Sequence, residues 1–448
     1  MNTHQPSPRH ARRSLLQQGL VALALSGGLI GLPQLGWAQS RLAPEAVQAL
    51  VAKEQAAFVQ TLKSLVEIES GSSDREGLER IAALVAERLR AAGGQVELIE
   101  PSEAEIYKMF DTPERIGPMV KATFKGKGSR KILLIAHMDT VYPRGMLAQQ
   151  PFRVEGSKAY GLGIADDKQG VAMLLHVVGL LKQLGVHQDW GQLTVLINSD
   201  EEISSPGSRA TLTREGRAHD VVLSFEGGGA PDGPDQLRLA TSGIAAANLL
   251  VKGRASHAGA SPERGVNALY ELSHQLLNAR DLSDRSVGRQ VHWTLARAGI
   301  VRNMIPPAAE ASADIRVERV ADFDGIEAAL RERIKNRLLP ESEVSLNFER
   351  RRPPLQATDA ARRLAAHAES LAKEQGTPLV VRDVPTGGGT DAAFAALNTQ
   401  APVIEGMGLR GFGAHTTNAE YVQLDSFVSK MSLTLRLIAD IASGRARW

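Results

Sequence analysis

Three apolar runs of this chain end in residues that bind cations. Leu193, Val195, Leu196 and Ile197 lead into Asp200-Glu201-Glu202, Lys131 to Ala136 lead into His137-Met138-Asp139, and Val221 to Phe225 lead into Glu226. A buried strand that finishes in carboxylates needs a partner for them, because desolvating an uncompensated charge is far too costly. A divalent metal is the leading candidate. The chain has no cysteine, so His and carboxylate would have to hold it. In His137-x-Asp139 both side chains leave a strand on one side, and Asp139 can orient the imidazole through its second nitrogen. Glu201 and Glu202 point apart on an extended backbone, so one can bind metal while the other serves as general base. Asp166 and Asp167 open a helix after a glycine-rich turn, and one of them is expected to cap it. With Glu226 and His415 the set comes to three carboxylates and two imidazoles. It suits two zinc ions sharing a bridging carboxylate and a water, and cobalt or manganese could occupy the same ligands.

The elements that must position these residues alternate between strand and helix. Helical periodicity covers Pro44 to Glu69, then Ser73 or Asp74 to Gly93-Gly94, then Gly170 to about Leu184. Strands are expected at Val96–Ile99, Met119–Phe124, Lys131–Ala136, Leu193–Ile197 and Val221–Glu226. The continuous apolar run from Lys131 to Ala136 reads as a central strand buried on both faces, within a largely parallel sheet. Sites in such sheets form at the carboxyl ends of the strands, which is where His137, Glu201, Glu202 and Glu226 fall. Pro101 to Gly117 has no period and reads as a surface insertion.

From Ile244 to Phe348 the order changes to strand, helix, two strands, helix, strand, a ferredoxin-like βαββαβ arrangement inserted into the α/β domain. His257 lies in this insert, within Gly253-Arg254-Ala255-Ser256-His257-Ala258-Gly259. From about Leu355 the α/β pattern resumes, passes the loop Thr386-Gly387-Gly388-Gly389-Thr390-Asp391 and His415, and ends in a helix from Ser426. No lysine follows the glycines as a phosphate loop would require. His176, His187, His219, His274, His292 and His367 have no partners in sequence and are expected to be structural.

At 448 residues the chain exceeds a single core, so two domains are expected. Its first 38 residues differ in kind: Arg12-Arg13 precede a short apolar run, and Gly36 and Ala38 sit three and one before a cleavage point. This reads as an export signal, implying a periplasmic or secreted protein; the paired arginines point to the twin-arginine route, although a Sec signal can also carry two arginines. Glycines and Pro33 break the run, which argues against a membrane anchor. Removing the signal's three arginines leaves 49 basic residues against 50 acidic, so no electrostatic case for nucleic acid or a membrane surface remains.

Taken together, His137-x-Asp139, Gly161-x-Gly163-x-x-Asp166-x-Lys168, Asp200-Glu201-Glu202, Phe225-Glu226, Ser256-His257-Ala258-Gly259, Gly387-Gly388-Gly389-Thr390-Asp391 and His415 resemble the M20 zinc metallopeptidases, specifically their glutamate carboxypeptidase branch. The motifs run in order through nearly the whole mature chain. The resemblance implies a catalytic domain in two parts, residues 39–242 and 354–448, and an inserted dimerisation or lid domain at 243–353. It implies Asp166 as the carboxylate bridging two zinc ions, with a cis peptide after it and Asp167 not a ligand. His137 and Glu226 would complete one site, Glu202 and His415 the other. Glu201 would take a proton from the bridging water and pass it to the leaving nitrogen, with Asp139 behind His137. His257 would enter a neighbouring subunit's site to stabilise the oxyanion, making the protein a homodimer. Asn303, Arg316, Arg352 and Gly388 would hold the substrate. The implied reaction releases a C-terminal amino acid, glutamate first, from N-acyl or peptide substrates, folate-like ones included. Gln236 stands where that branch has a lysine, with Arg238 two residues later. This leaves open an aminoacylase or dipeptidase specificity and, outside enzymes, a non-catalytic zinc-binding scaffold.

Overall fold

A computed structural model describes residues 42–416 and 419–448, and the expected export signal lies outside them. From the N-terminus, α1 (Pro44–Val66) and α2 (Arg75–Ala91) precede β1 (Gln95–Ile99), β2 (Met119–Lys125) and β3 (Lys131–His137). A short hairpin, β4 (Arg153–Glu155) and β5 (Lys158–Tyr160), leads to α3 (Gln169–Gln183), β6 (Gln192–Asn198), α4 (Arg209–Ala218) and β7 (Val221–Ser224). Next come β8 (Asp235–Arg238), β9 (Gly243–Lys252), α5 (Ala268–Asn278), β10 (Gln290–Ala298), β11 (Ala308–Val317), α6 (Ala321–Arg333) and β12 (Glu343–Arg352). The chain returns through α7 (Asp359–Glu374), β13 (Leu379–Arg382), α8 (Ala392–Ala395), β14 (Val403–Ile404), β15 (Gly411–Phe412), β16 (Tyr421–Gln423) and α9 (Ser426–Ala442).

The main sheet is ordered β1-β2-β6-β3-β7-β14. Its last four strands are parallel, whereas β1 and β2 add an antiparallel margin. β3 is apolar from Ile132 to Ala136 because helices cover both its faces. Ile132 and Leu134 join a core with Phe58 of α1, Val171 of α3 and Phe427 of α9. Leu133 and Ile135 face a second core with Leu212 of α4 and Ala392 to Ala395 of α8. The parallel register sets the carboxyl ends of β6, β3 and β7 side by side, with His137 opposite Asn198 and Ile135 opposite Ser224.

The second sheet, β10-β11-β9-β12, is antiparallel throughout and has the expected βαββαβ order. Burial alternates along β9 and β11, since one face meets α5 and α6 and the other lies open. The strand expected at Leu379 to Val384 forms as β13, but its parallel pairing with β8 was not foreseen, nor was an antiparallel sheet β15-β16-β5-β4. Strands of two to four residues are too short to show a period. The strand expected to reach Glu226 stops at Ser224, and 101–117 holds no helix or strand. Among the described residues, no helix is long and apolar enough to cross a membrane.

Candidate active site and metal centre

Asp139 organises the site from beneath. Fully buried, it accepts hydrogen bonds from the backbone N–H of Glu201 and of Glu202, both at 3.1 Å, and from Ser72 Oγ at 2.7 Å. Its Oδ1 lies 3.3 Å from His137 Nδ1, so one carboxylate orients the imidazole and holds the acidic turn. That turn is not extended as expected. Glu201–Ile203 form one 3-10 turn, because Asp139 gathers two consecutive N–H groups. Asp200 supports it, accepting from Gly207 N at 2.6 Å, Ser208 N at 3.1 Å and Ser208 Oγ at 2.5 Å.

Asp166 sits on a loop held by a residue that sequence reasoning missed. Glu420 accepts from the N–H of Gly163 (2.9 Å), Ala165 (2.8 Å) and Asp166 (3.2 Å), and from Tyr142 Oη at 2.6 Å. Glu420 belongs to no motif, so nothing in the sequence marks it. Gly163 adopts φ +69, and a Cβ there would meet Thr140 Cγ2 at 2.2 Å, so the turn needs glycine. The Asp166–Asp167 peptide is cis, as the resemblance implied. Neither aspartate caps α3, whose N-terminus makes no side-chain cap bond. The fold uses Asp167 to accept from Gln169 Nε2 at 2.7 Å instead.

The carboxylate of Asp166 spans two imidazoles. Oδ1 lies 2.9 Å from His137 Nε2 and Oδ2 lies 3.3 Å from His415 Nε2, which is also 3.0 Å from Glu202 Oε2. Ligand atoms of Asp166, Glu202 and His415 all lie within 4.8 Å of one another. Glu226 follows the end of β7 and lines a cavity with Asp166, Gln236 and Arg238. Burial raises the carboxyl pKa of Glu226, and the charges of Glu405 and Glu201 raise it further. Burial and the charge of Asp166 push Glu202 up to about 8. His415 is pushed up to about 10 by its hydrogen bonds to Asp166 and Glu202. For Asp166, burial opposes ionisation, but the two imidazoles outweigh it and hold the carboxyl below the usual range. Buried this closely together, these carboxylates need positive charge beside them. Glu202 Oε1 is buried and has no hydrogen-bond partner among the described residues. That orphaned oxygen and the split carboxylate of Asp166 fit a divalent metal held by oxygen and imidazole.

The remaining expected residues fall in different places. Glu201 is 6% exposed, and its carboxylate and carbonyl both accept from the Arg352 guanidinium. Arg352, expected to hold substrate, is directed at Glu201 here, because two buried groups of opposite charge at this depth pair. His257 is exposed and outside the cluster; its Nδ1 accepts from Gly259 N (3.1 Å) and Ala260 N (3.0 Å), leaving the ring proton on Nε2. Asn303 is exposed beside it, its carbonyl accepting from Ala258 N at 3.0 Å. Asp314 grips Arg316 with both oxygens, and Arg316 Nη1 donates to Gly387 O at 2.9 Å. Gly388 faces open space. Arg238 does not offer a free charge near Gln236, because Glu405 Oε1 lies 3.6 Å from it. His176, His219, His274 and His367 all hydrogen-bond structural partners, as expected.

Residues 133–440 match the peptidase family M20/M25/M40. Carboxypeptidase G2 of Pseudomonas sp. (strain RS-16) is 43% identical over 399 residues, covering 88% of this chain and 91% of that protein. N-acetyl-L-citrulline deacetylase of Xanthomonas campestris pv. campestris is 26% identical over 249 residues, 53% of this chain and 60% of its own. Among solved structures, the M20 family metallo-carboxypeptidase Sso-CP2 of Sulfolobus solfataricus superposes with a TM-score of 0.67 at 15% identity, over 87% of this chain and 99% of its own. Aminopeptidase PepT of Bacillus cereus ATCC 10987 gives 0.69 at 19% identity, over 87% and 99%. The α/β fold, the carboxylate shared between two imidazoles and these likenesses agree: the chain belongs to peptidase family M20/M25/M40, whose members are metal-dependent hydrolases of peptide and amide bonds.

Proposed function

We propose that this protein is a dizinc metallo-carboxypeptidase that releases a C-terminal amino acid, glutamate first, from N-acyl or peptide substrates. The observation that carries the reading is the Asp166 carboxylate, whose two oxygens face His137 and His415 with Glu202 alongside. His137, Asp166 and Glu226 would hold one zinc, and Glu202, His415 and Asp166 the other. Bound there, zinc polarises a carbonyl and makes water acidic enough to attack near neutral pH. Glu201 accepts the proton of the attacking water and hands it to the amide nitrogen as the C–N bond breaks. His257, with its proton on Nε2, suits oxyanion stabilisation from a partner subunit. That role makes the protein a homodimer joined through residues 243–353. Asn303, Arg316 and Gly388 are the residues we assign to the substrate, and residues 1–38 are read as the signal that exports the enzyme.

Gln236, beside an Arg238 already faced by Glu405, favours a second reading in which the released residue is not glutamate. A panel of N-acyl amino acids carrying Glu, Ala, Leu or Phe, assayed with the zinc-loaded protein, separates the two. Equal turnover of the Phe and Glu derivatives would remove the glutamate assignment. Glu201→Gln should lower kcat by roughly 10²–10⁴-fold while zinc content holds, whereas a non-catalytic scaffold would keep its function in that variant.

A further inference from the structure

Arg209, the first residue of α4, sets its guanidinium over the rings of both Tyr107 and Phe394, 4.1 Å and 4.8 Å from their centroids. Its guanidinium donates to four backbone carbonyls: Ser204 at 2.6 Å, Ser205 at 3.3 Å, Arg351 at 2.8 Å and Arg350 at 3.1 Å. Among the described residues none of its hydrogen-bond partners is a carboxylate, so carbonyl dipoles carry the work of stabilising the charge. Burial accordingly pushes its pKa down to about 10. The four carbonyls belong to two segments that meet at the site. Ser204 and Ser205 follow the Glu201–Ile203 turn and hold φ +68 and +56, a conformation that non-glycine residues adopt only when their surroundings enforce it. Arg350 and Arg351 lead into Arg352 at the end of β12, and Arg352 bonds Glu201. Glu201, its turn, Arg209, the end of β12 and Arg352 therefore form a closed ring of contacts. A planar fork held against two aromatic rings can span both segments at once, which a flexible ammonium cannot do.

We propose that Arg209 is a positioning residue for hydrolysis: it fixes the end of β12 against the acidic turn and so holds the Arg352–Glu201 pair in register. This rests on reading Glu201 as the proton carrier. Displacing a reacting group by about 1 Å can cost up to about 100-fold in rate. The test uses the zinc-loaded full chain with Arg209→Met, Arg352→Met and the double variant, each assayed for kcat, KM, zinc content and melting temperature. Arg209→Met should lower kcat roughly 10- to 100-fold with KM within about threefold and zinc unchanged. In the Arg352→Met background it should lower kcat by no more than about threefold, because the pair it positions is already gone. Independent, multiplying losses in the double variant would overturn the proposal, as would unchanged kcat in Arg209→Met. If Arg209→Met does not fold, Tyr107→Leu removes one of the two rings against the guanidinium, and the same pattern of lowered kcat, steady KM and coupling to Arg352 decides the matter. Glu201→Gln run in parallel separates the two levels. Undiminished turnover there would overturn the role of Glu201 and this one with it, whereas a large loss there with uncoupled Arg209 would overturn this one alone.

Discussion

Removing Arg352 alone should destabilise the protein far more than removing Arg352 and the Glu201 charge together. Arg352 is 5% exposed and Glu201 6%, and the guanidinium contacts both the carboxylate and the carbonyl of that residue. In Arg352→Met the Glu201 carboxylate stays buried near Asp391 and Glu226, which already face the cost of burial and of the Glu201 charge. Breaking a buried pair from one side costs about 3–5 kcal/mol, because the other charge is left uncompensated. Changing Glu201 to Gln as well removes that charge, and a pair replaced on both sides is often close to neutral. The double variant Arg352→Met/Glu201→Gln should therefore recover at least about 2 kcal/mol over Arg352→Met, a coupling of the size that contacting residues show. Urea unfolding of the metal-free proteins, followed through the fluorescence of buried Trp190, measures it. A double variant as unstable as Arg352→Met, or a cost below about 1 kcal/mol for Arg352→Met, would refute the reasoning.

His415→Ala should fold normally, since that side chain is 55% exposed, yet lose one zinc per subunit by atomic absorption. Lys430 is fully buried and donates to Gly406 O at 2.7 Å and Gln236 O at 3.0 Å, and burial pushes its pKa down to about 8. Its folded pKa lies below its unfolded one, so its penalty is complete below about pH 8 and fades as pH rises towards 10.5, the ordinary value for a lysine. Denaturation of wild type and Lys430→Met at pH 7 and pH 10 should show the wild type gaining up to roughly 3 kcal/mol relative to the variant. In Gly216→Ala a new Cβ would meet Ala395 O at 1.9 Å, where α4 crosses α8. Overpacking against backbone should cost about 1–3 kcal/mol, read as a lower melting temperature with kcat preserved.

Much of this was legible in the chain itself. Apolar runs ending in His137, Glu201-Glu202 and Glu226 reveal both the parallel strands and the edge where the chemistry gathers, because burial period and desolvation cost act locally. The absence of cysteine limits the ligands to imidazole and carboxylate. The helix over Arg75–Ala91 starts where Asp74 can cap it, accepting from Gly77 N at 3.0 Å. What stayed hidden was every relation between residues far apart. Arg352 meets Glu201 across 151 residues, and Glu420 holds the Asp166 loop across 254 or more. Neither has a period or motif, since each is selected by where the folded chain happens to bring it. The split between Glu201 and Glu202 was open for the same reason: an extended strand and a 3-10 turn aim two adjacent side chains differently. Asp139, two residues past the end of β3, accepts from both N–H groups and so fixes the 3-10 turn. Residue types therefore determined that carboxylate and imidazole would meet a cation here. Only the tertiary structure decided which oxygen faces which nitrogen, because hydrogen bonds of about 3 Å depend on strand register and loop anchoring that no local stretch encodes.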